Sequence, residues 1–187
     1  MEQNTKGFIY YYPSDIGRIT LASDGKNITG LWIQGQKYYG STMEKSSTEE
    51  NIGEEMRPVF KQAKLWLDTY FSGKEPEFPL PLAPKGSPFR HKVWKILCDI
   101  PYGQVVTYGD IAKALAKELG KKNMSAQAVG GAVGHNPISI MIPCHRVVGA
   151  DGSLTGYAGG VHTKVKLLEL ERADMEGLYI PKKGTAL

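Results

Sequence analysis

Residues 136–148 read NPISIMIPCHRVV, and this stretch decides how the C-terminal half of the chain is interpreted. The apolar run 138–142 predicts a core strand that leads directly into Pro-Cys-His-Arg. Cys144 therefore lies beside His145, an imidazole that can accept the proton of a thiol and make it nucleophilic. Because adjacent strand residues point to opposite faces, either the backbone bends at Cys144 or a water bridges sulfur and ring.

A cysteine after a core strand has a plainer interpretation as well. Such a residue is often a small buried hydrophobe, and a lone Cys-His pair favours that interpretation. A working relay would also need a carboxylate from elsewhere to hold the imidazole. The other cysteine, Cys98, forms no disulfide framework with Cys144, and no Cys/His spacing resembles a zinc site. We expect neither metal nor cofactor.

Upstream of this stretch the signals are helical. Ser87 followed by Pro88 marks a helix start, and Pro101 to Gly103 marks a turn. Thr107, with an acidic residue three positions later, is typical of a capping box and begins a helix that ends at Gly120. Ser125 caps a short helix over 126–133. Two helices joined by a short connection predict a helix-turn-helix.

The short helix, AQAVGGAV over 126–133, has an unusual composition. It carries no Arg, Lys or Asn with which to read base edges in a major groove. Its two consecutive glycines cost about 1 kcal/mol each relative to alanine. Tight packing on a neighbouring helix would explain them, and so would a partner, such as a minor-groove wall, that must approach the backbone closely.

The N-terminal half predicts a small sheet with one helix. Apolar and aromatic runs broken by turn residues over 8–33 are typical of strands. Residues 57–71 have helical periodicity and end before Gly73, and 74–86 contain four prolines and predict a linker. We expect an N-terminal domain over 1–80, a C-terminal domain over 81–174 and a flexible tail over 175–187. A glycine-rich loop over 149–160 and a last helix over 161–172 complete the second domain.

Composition and charge set the class of protein. The 187 residues are 41% hydrophobic and 22% charged, as in an ordinary globular chain. Residues 1–85 hold 10 Lys/Arg and 11 Asp/Glu, whereas residues 86–187 hold 13 and 8, so the positive charge is C-terminal. A basic half suits a nucleic-acid partner but is weak support alone. No apolar run or leader indicates membrane or export, so we expect a cytoplasmic location.

Three stretches around the cysteine carry a family resemblance: AVGGA over 128–132 with the Asn-Pro at 136–137, IPCHRVV over 142–148, and YGQVVTYGDIA over 102–112 with LTGYAGGVHTKVKLLELE over 154–171. Together they resemble the O6-alkylguanine-DNA alkyltransferases, the methylated-DNA–protein-cysteine methyltransferases. The resemblance is dense over 87–172 and looser over 1–75. It implies a ribonuclease H-like α/β N-terminal domain, a small β-sheet with a helix. It also implies a mostly α C-terminal DNA-binding domain that is winged-helix-turn-helix-like.

The resemblance implies a suicide repair reaction. Double-stranded DNA would bind through its minor groove, and the protein, a monomer, would flip O6-methylguanine or O4-methylthymine out of the helix. Cys144 would accept the alkyl group irreversibly, with His145 as its base through water and Glu171, on the last helix, orienting His145. Tyr108 would give a proton to the departing guanine, and Asn136 would brace the loop. Without the resemblance, Glu171 would be interpreted as part of a surface salt bridge, Tyr108 as a core aromatic and Asn136 as part of an Asn-Pro turn.

The resemblance also assigns the contacts to DNA and to the flipped base. The DNA-binding set is Thr107, Ser125, Ala126, Gln127, Ala128, Gly130 and Gly131. The substrate pocket is formed by Tyr108, Val148, Tyr157 and Ala158, and Arg146 has a structural role. One residue departs from the family pattern: Gln127 stands where an arginine usually replaces the flipped base, and glutamine lacks its charge and planar fork.

Three other functions fit the sequence less well. A damage sensor that flips lesions without reacting replaces the cysteine, commonly by tryptophan, whereas Cys144 is intact. A cysteine hydrolase needs an oxyanion hole, and the glycine-poor approach to Cys144 does not suggest one. A transcription regulator would need a further regulatory or DNA-binding unit, which the sequence does not indicate. The repair protein is therefore the function that we expect.

Overall fold

A four-stranded sheet forms the N-terminal half of the computed structural model, which describes residues 6–49 and 56–182. The strand order is β3-β2-β1-β4, with the first three strands antiparallel and β4 parallel to β1. The strands are β1 (Phe8–Tyr12), β2 (Ile19–Ser23), β3 (Ile28–Ile33) and β4 (Thr48–Glu49). The strands predicted over 8–33 are confirmed, whereas the two-residue β4 was not predicted.

One long helix, α1 (Pro58–Phe71), packs against this sheet. Proline is favourable at its first position because that residue needs no backbone donor. Phe60, Ala63 and Leu67 are fully buried and fall at helical spacing, as predicted. After the helix, Gly73 has a φ of 77°, a left-handed conformation that glycine adopts without strain and that ends the helix.

The proline-rich linker is attached to the sheet rather than free of it. The N–H of Ile28 donates to the carbonyl of Pro81 at 2.7 Å, and the N–H of Ala83 donates to the carbonyl of Ile28 at 2.8 Å. Further along the same edge strand, Leu31 exchanges hydrogen bonds with residues 137 and 139 at 2.9 and 3.0 Å. The outer edge of β3 therefore holds both the linker and the segment that precedes the cysteine.

Four helices form most of the C-terminal half: α2 (Pro88–Cys98), α3 (Tyr108–Glu118), α4 (Ala126–Gly134) and α5 (Val161–Leu170). The predicted N-caps are present, since Ser87 Oγ accepts from the N–H of the third residue of α2 and Ser125 Oγ from that of the third residue of α4, each at 3.3 Å. Thr107 and Asp110 form a reciprocal capping box at the start of α3. Helices α3 and α4 are the predicted helix-turn-helix pair.

The strand predicted over 138–142 is wrong. Only Ile138 forms a bridge, to Leu31, and the chain then turns back so that the N–H of Ile142 donates to the carbonyl of Ile138 at 3.0 Å. Ile140 has a φ of 70°, which is rare for a β-branched residue and incompatible with a strand. An apolar run reports burial, and here it forms a buried turn rather than an extended element.

Of the two alternatives at the cysteine, the backbone does bend, in a single 3-10 turn, Cys144–Arg146. It leads into β6 (Val147–Val148), which pairs in parallel with β5 (Val106–Thr107). This two-residue ladder joins the end of the cysteine turn to the start of α3. As a result, Tyr108, the first residue of α3, is brought beside the cysteine region.

The last helix is shorter than the predicted 161–172. Helix α5 ends at Leu170, so Glu171 is its C-cap rather than a residue inside it. In the described part of the predicted tail, residues 175–182 lie against the glycine-rich loop. The N–H of Leu154 donates to the carbonyl of Tyr179 at 2.8 Å, and the Tyr179 hydroxyl donates to Asp151 at 2.5 Å. Residues 183–187 of the predicted tail lie outside the described part of the chain.

The main hydrophobic core is shared by the two halves. It runs from Tyr10 and Phe60 to Val93, Val129 and Leu167 without a break. Across residues 6–49 and 56–182, no helix combines the length and apolar character needed to cross a membrane.

Candidate active site

Cys144 is a free thiol held in a buried polar setting. Its side chain is 5% exposed, and the Asn136 side-chain amide donates to its sulfur at 3.1 Å. The same amide donates to the carbonyl of Ile142 at 2.8 Å, and its oxygen accepts from the N–H of Ile138 at 3.0 Å. Asn136 therefore binds the buried turn at both ends and touches the sulfur, which is more than an Asn-Pro turn requires.

The protonation of Cys144 follows from this setting. Burial raises the pKa of the thiol because a thiolate loses water there. The hydrogen bond from Asn136 and the positive charge of Lys164 act in the opposite direction without outweighing burial. The free protein consequently holds a thiol at neutral pH, together with groups that would stabilise the thiolate once a base removes the proton.

Lys164 was not predicted and is fully buried. Its ammonium donates to the carbonyls of Val147 and Thr155, the latter at 2.8 Å, so it joins the cysteine turn to the glycine-rich loop. Burial lowers its pKa to about 8. The sequence carried a signal for this position, because Lys164 lies three and four residues before the core leucines of α5, at the spacing of one helix face.

The imidazole of His145 is oriented by a carboxylate. Its Nε2 lies 2.6 Å from Glu171 Oε1, and both side chains are buried. Burial lowers the pKa of His145, so the ring is neutral and its single proton lies on Nε2, facing the carboxylate. Nδ1 is buried and has no hydrogen-bond partner among the described residues. The histidine therefore presents a free lone pair.

Glu171 accepts hydrogen bonds from four residues besides being the helix C-cap. Arg146 donates from Nε and Nη2 at 2.8 and 3.0 Å, the Tyr70 hydroxyl at 2.7 Å, the N–H of Gly103 at 3.1 Å, and His145 completes the set. Burial alone would raise the pKa of this carboxyl, but the bonds from His145 and Arg146 outweigh it and lower the pKa to about 2. A surface salt bridge is excluded, since Glu171 is 3% exposed.

The local chain path fixes the carboxylate in this place. The N–H of Arg172 donates to the carbonyl of Glu169 at 2.9 Å and that of Ala173 to Leu168 at 2.9 Å, the two bonds of a Schellman ending. Arg172 has the left-handed φ, 56°, that this ending requires. Glu171 is therefore the last residue before the chain leaves the helix, and its side chain turns into the core.

Tyr108 reaches the cysteine region from the start of α3. Its hydroxyl donates to the carbonyl of Thr155 at 3.2 Å. Burial raises its pKa to about 12, and a negative charge on Cys144 acts in the same direction. Tyr108 therefore keeps its proton at neutral pH and is close enough to the sulfur to be affected by its charge.

An open cavity of about 720 Å³ lies along α4 and the start of α3. It is lined by Lys37, Tyr38, Tyr108, Gly109, Ala126, Gln127, Gly130, Gly131, Gly134, His135, Ala150, Thr155, Gly156 and Ala158. Six of these belong to the predicted contact sets. Val148 and Tyr157 are buried and do not line it, while the side chain of Thr107 is engaged in the capping box. Ser125 and Ala128 are exposed at the start of α4.

The chain matches two family models that divide it between them. The 6-O-methylguanine DNA methyltransferase ribonuclease-like domain matches residues 8–84, and the DNA-binding domain of the same family matches residues 88–173. These matches confirm the expected α/β N-terminal and DNA-binding C-terminal architecture.

Individual proteins agree with the family models. The chain is 39% identical over 163 residues to the methylated-DNA–protein-cysteine methyltransferase of Haemophilus influenzae, covering 87% of this chain and 84% of the relative. It is 43% identical over 160 residues to that of Mycobacterium tuberculosis, covering 86% and 89%. The crystal structure of Mycobacterium tuberculosis OGT in complex with DNA superimposes with a TM-score of 0.74 at 38% identity, covering 91% of this chain and 98% of that one. The chain therefore belongs to the 6-O-methylguanine DNA methyltransferase family.

Proposed function

We propose that this protein repairs O6-alkylguanine in double-stranded DNA by moving the alkyl group onto Cys144 in a single turnover. The arrangement of His145 carries the proposal: its Nε2 is held by Glu171, its Nδ1 has no partner among the described residues, and the residue directly follows Cys144 in the same 3-10 turn. A neutral, oriented imidazole with a free lone pair is the group that a buried thiol needs in order to ionise. O4-methylthymine is a second substrate in the proposal.

The first step is transfer of the thiol proton of Cys144 to His145 Nδ1, through one water molecule. Glu171 stabilises the imidazolium that forms, and Asn136 and Lys164 stabilise the thiolate. The sulfur then attacks the saturated carbon of the alkyl group, and the bond from that carbon to O6 breaks with its electron pair remaining on the guanine. Because the thioether product has no easy route back to a thiol, the protein is consumed.

Tyr108 supplies the proton that the departing guanine takes up. A leaving purine with a negative charge is a poor leaving group, and a phenol within reach lowers that cost. Tyr108 retains its proton, since burial raises its pKa to about 12, and it also lines the cavity through which the base would enter. The tyrosinate left behind recovers its proton from the His145 imidazolium or from solvent.

The surface of α4 fits a partner that must come close to the helix backbone. A side chain at Gly131 would meet nothing within 4 Å, and one at Gly130 would be at an ordinary 3.8 Å from the Tyr108 ring. Packing inside the protein therefore does not require these glycines, and of the two explanations the external partner is favoured. A minor-groove wall, from which a nucleotide is turned out toward the cysteine, is the partner in this proposal.

The remaining assignments belong to the same proposal. Residues 1–80 and 81–174 act as its two domains, the protein works as a monomer, and every reacting group is a side chain, so the reaction needs no cofactor. A nucleophilic thiol persists in a reducing compartment, which supports a cytoplasmic location.

Mass spectrometry tests the proposal directly. After incubation with a duplex containing O6-methylguanine, the Cys144 peptide should gain the mass of one CH2 group, and Cys98 should remain unmodified. The C144A variant should bind the same duplex without removing the methyl group. Methyl release into solvent, or modification of another side chain with Cys144 unchanged, would contradict the proposal.

A further inference from the structure

The N-terminal domain contributes two side chains to the cavity along α4. Lys37 and Tyr38 follow β3 and line the cavity together with residues of α3 and α4. The N–H of Lys37 donates to the carbonyl of Ala158 at 2.9 Å, so this segment is fixed to the glycine-rich loop that borders the cysteine region. The family assignment places DNA contacts on the C-terminal domain and leaves this part of the cavity without a role.

Tyr38 forms an aromatic surface together with His135. The two rings stack with centroids 4.3 Å apart and planes 24° apart, and Tyr38 remains 40% exposed. His135 is itself fixed, because its Nδ1–H donates to the carbonyl of Gly131 at 2.7 Å. Tyr38 has a φ of 59°, a left-handed conformation that is strained for a non-glycine residue, so the contacts around it must offset that strain. The ring is therefore held in one place although much of it faces solvent.

Lys37 adds a charge to this aromatic surface. Its ammonium lies 5.2 Å from the centroid of the Tyr38 ring, and the residue is exposed. Among the residues that line the cavity, Lys37 is the only lysine or arginine, and none is acidic. A cation next to a stacked aromatic pair in a groove without carboxylates is the combination that binds single-stranded nucleic acid, the cation on phosphate and the ring on base or sugar.

We propose that Lys37, Tyr38 and His135 bind the strand from which the damaged nucleotide is extruded, with Lys37 on a phosphate next to the lesion and Tyr38 against its unstacked neighbour. This inference rests on the proposed function, because it needs a nucleotide that has left the duplex. It makes the N-terminal domain part of the DNA-binding surface, in addition to its contacts with the cysteine turn.

The test compares four variants with the wild type. K37A and Y38A should each weaken binding to an O6-methylguanine duplex by about five-fold or more, and by less for the unmodified duplex. K37A should also reduce the slope of log binding constant against log salt by about one, since it removes one phosphate contact. Y38F keeps the ring and should restore binding. K26A removes the same charge at the other end of β3 and serves as the matched control, with binding unchanged.

Two results would overturn the inference. One is that K37A and Y38A bind the lesion duplex as tightly as K26A does. The other is that they lose equal affinity for lesion and unmodified duplex, since the contact would then not involve an extruded nucleotide. Methyl transfer by the wild type is measured in the same samples: a wild type that fails to transfer methyl refutes the proposed function, whereas normal transfer with unaffected variants refutes only this inference.

Discussion

The hydroxyl of Tyr70 donates a 2.7 Å hydrogen bond to Glu171 Oε1, the oxygen that also holds His145. Tyr70 belongs to α1, so a helix of the N-terminal domain contacts the carboxylate on which the relay of the C-terminal domain depends. The tyrosine is fully buried, and its ring packs edge-on against that of His145. Tyr70 is therefore a positioning residue for the proposed reaction.

Replacing Tyr70 by phenylalanine should slow methyl transfer with little change in duplex binding. One lost hydrogen bond of about 1 kcal/mol corresponds to about a five-fold lower rate. Losing a donor also raises the pKa of Glu171, and a more basic carboxylate raises that of His145, so the acid limb of the rate profile should move to higher pH. Single-turnover rates between pH 5 and 9, a range around the unperturbed histidine pKa of about 6.5, would measure both effects.

The Y12F variant is the matched control for Tyr70. The Tyr12 hydroxyl donates to Asp68 at 2.9 Å, which is the same bond type at a site away from the cysteine. Y12F should lose stability comparably while its rate profile stays that of the wild type. An acid limb in Y70F that coincides with that of Y12F would show that Tyr70 acts on stability alone.

Acid should destabilise the protein through Glu171. Its pKa of about 2 in the folded protein lies below the ordinary 4.5. The carboxylate therefore contributes stability that is fully present above about pH 4.5 and is lost as the pH falls toward 2. In E171Q the buried Arg146 has lost its counter-charge, which should cost about 3–5 kcal/mol at neutral pH. Urea unfolding at several pH values should show that the difference in unfolding free energy between the wild type and E171Q shrinks in acid.

The exposed neighbour Glu169 provides the control for that experiment. E169Q makes the same chemical change two residues earlier, at an exposed position of α5. Its free energy of unfolding should depend on pH as that of the wild type does. A constant difference between E171Q and wild type from pH 7 to about 3 would mean that Glu171 keeps an ordinary pKa, contrary to the linkage argument.

The G131A variant should separate stability from binding. Alanine is a better helix residue by about 0.5–1 kcal/mol, and a methyl group at this position meets nothing within 4 Å, so the free protein should become more stable. The same methyl group projects from the surface that approaches DNA, so duplex binding should weaken. Thermal unfolding and a binding titration on one preparation measure both. Higher stability with unchanged affinity would refute the close approach of DNA at α4.

The Q127R variant should tighten duplex binding. Gln127 is exposed and lines the cavity, so an arginine there could reach both the space left by the flipped base and a phosphate. One added phosphate contact should steepen the salt dependence of log binding constant by about 0.9. Q62R adds the same charge on the exposed face of α1 and should change neither quantity. Weaker binding by Q127R would contradict the role assigned to this position.

Features of the site that depend on short-range interactions were predictable. The caps at Ser87, Thr107 and Ser125 were predictable because each side chain accepts a hydrogen bond from a backbone N–H three residues later. The Cys-His pair needed only adjacency in sequence. The form of the buried turn was not predictable, because an apolar run specifies burial and not whether the backbone extends or turns back. The left-handed conformation of Ile140 depends on hydrogen bonds that the turn forms with β3 and with the Asn136 side chain.

The sequence by itself determined the helix starts, the N-terminal strands, the reactive cysteine and, through its motifs, the family. Only the tertiary structure placed Tyr70 on Glu171, Lys164 beneath the cysteine turn, and Lys37 with Tyr38 on the cavity wall. The physical reason is distance along the chain: a cap or a periodic face is satisfied within a few residues. A hydrogen bond between residues 70 and 171 exists only once the shared core has brought the two domains together.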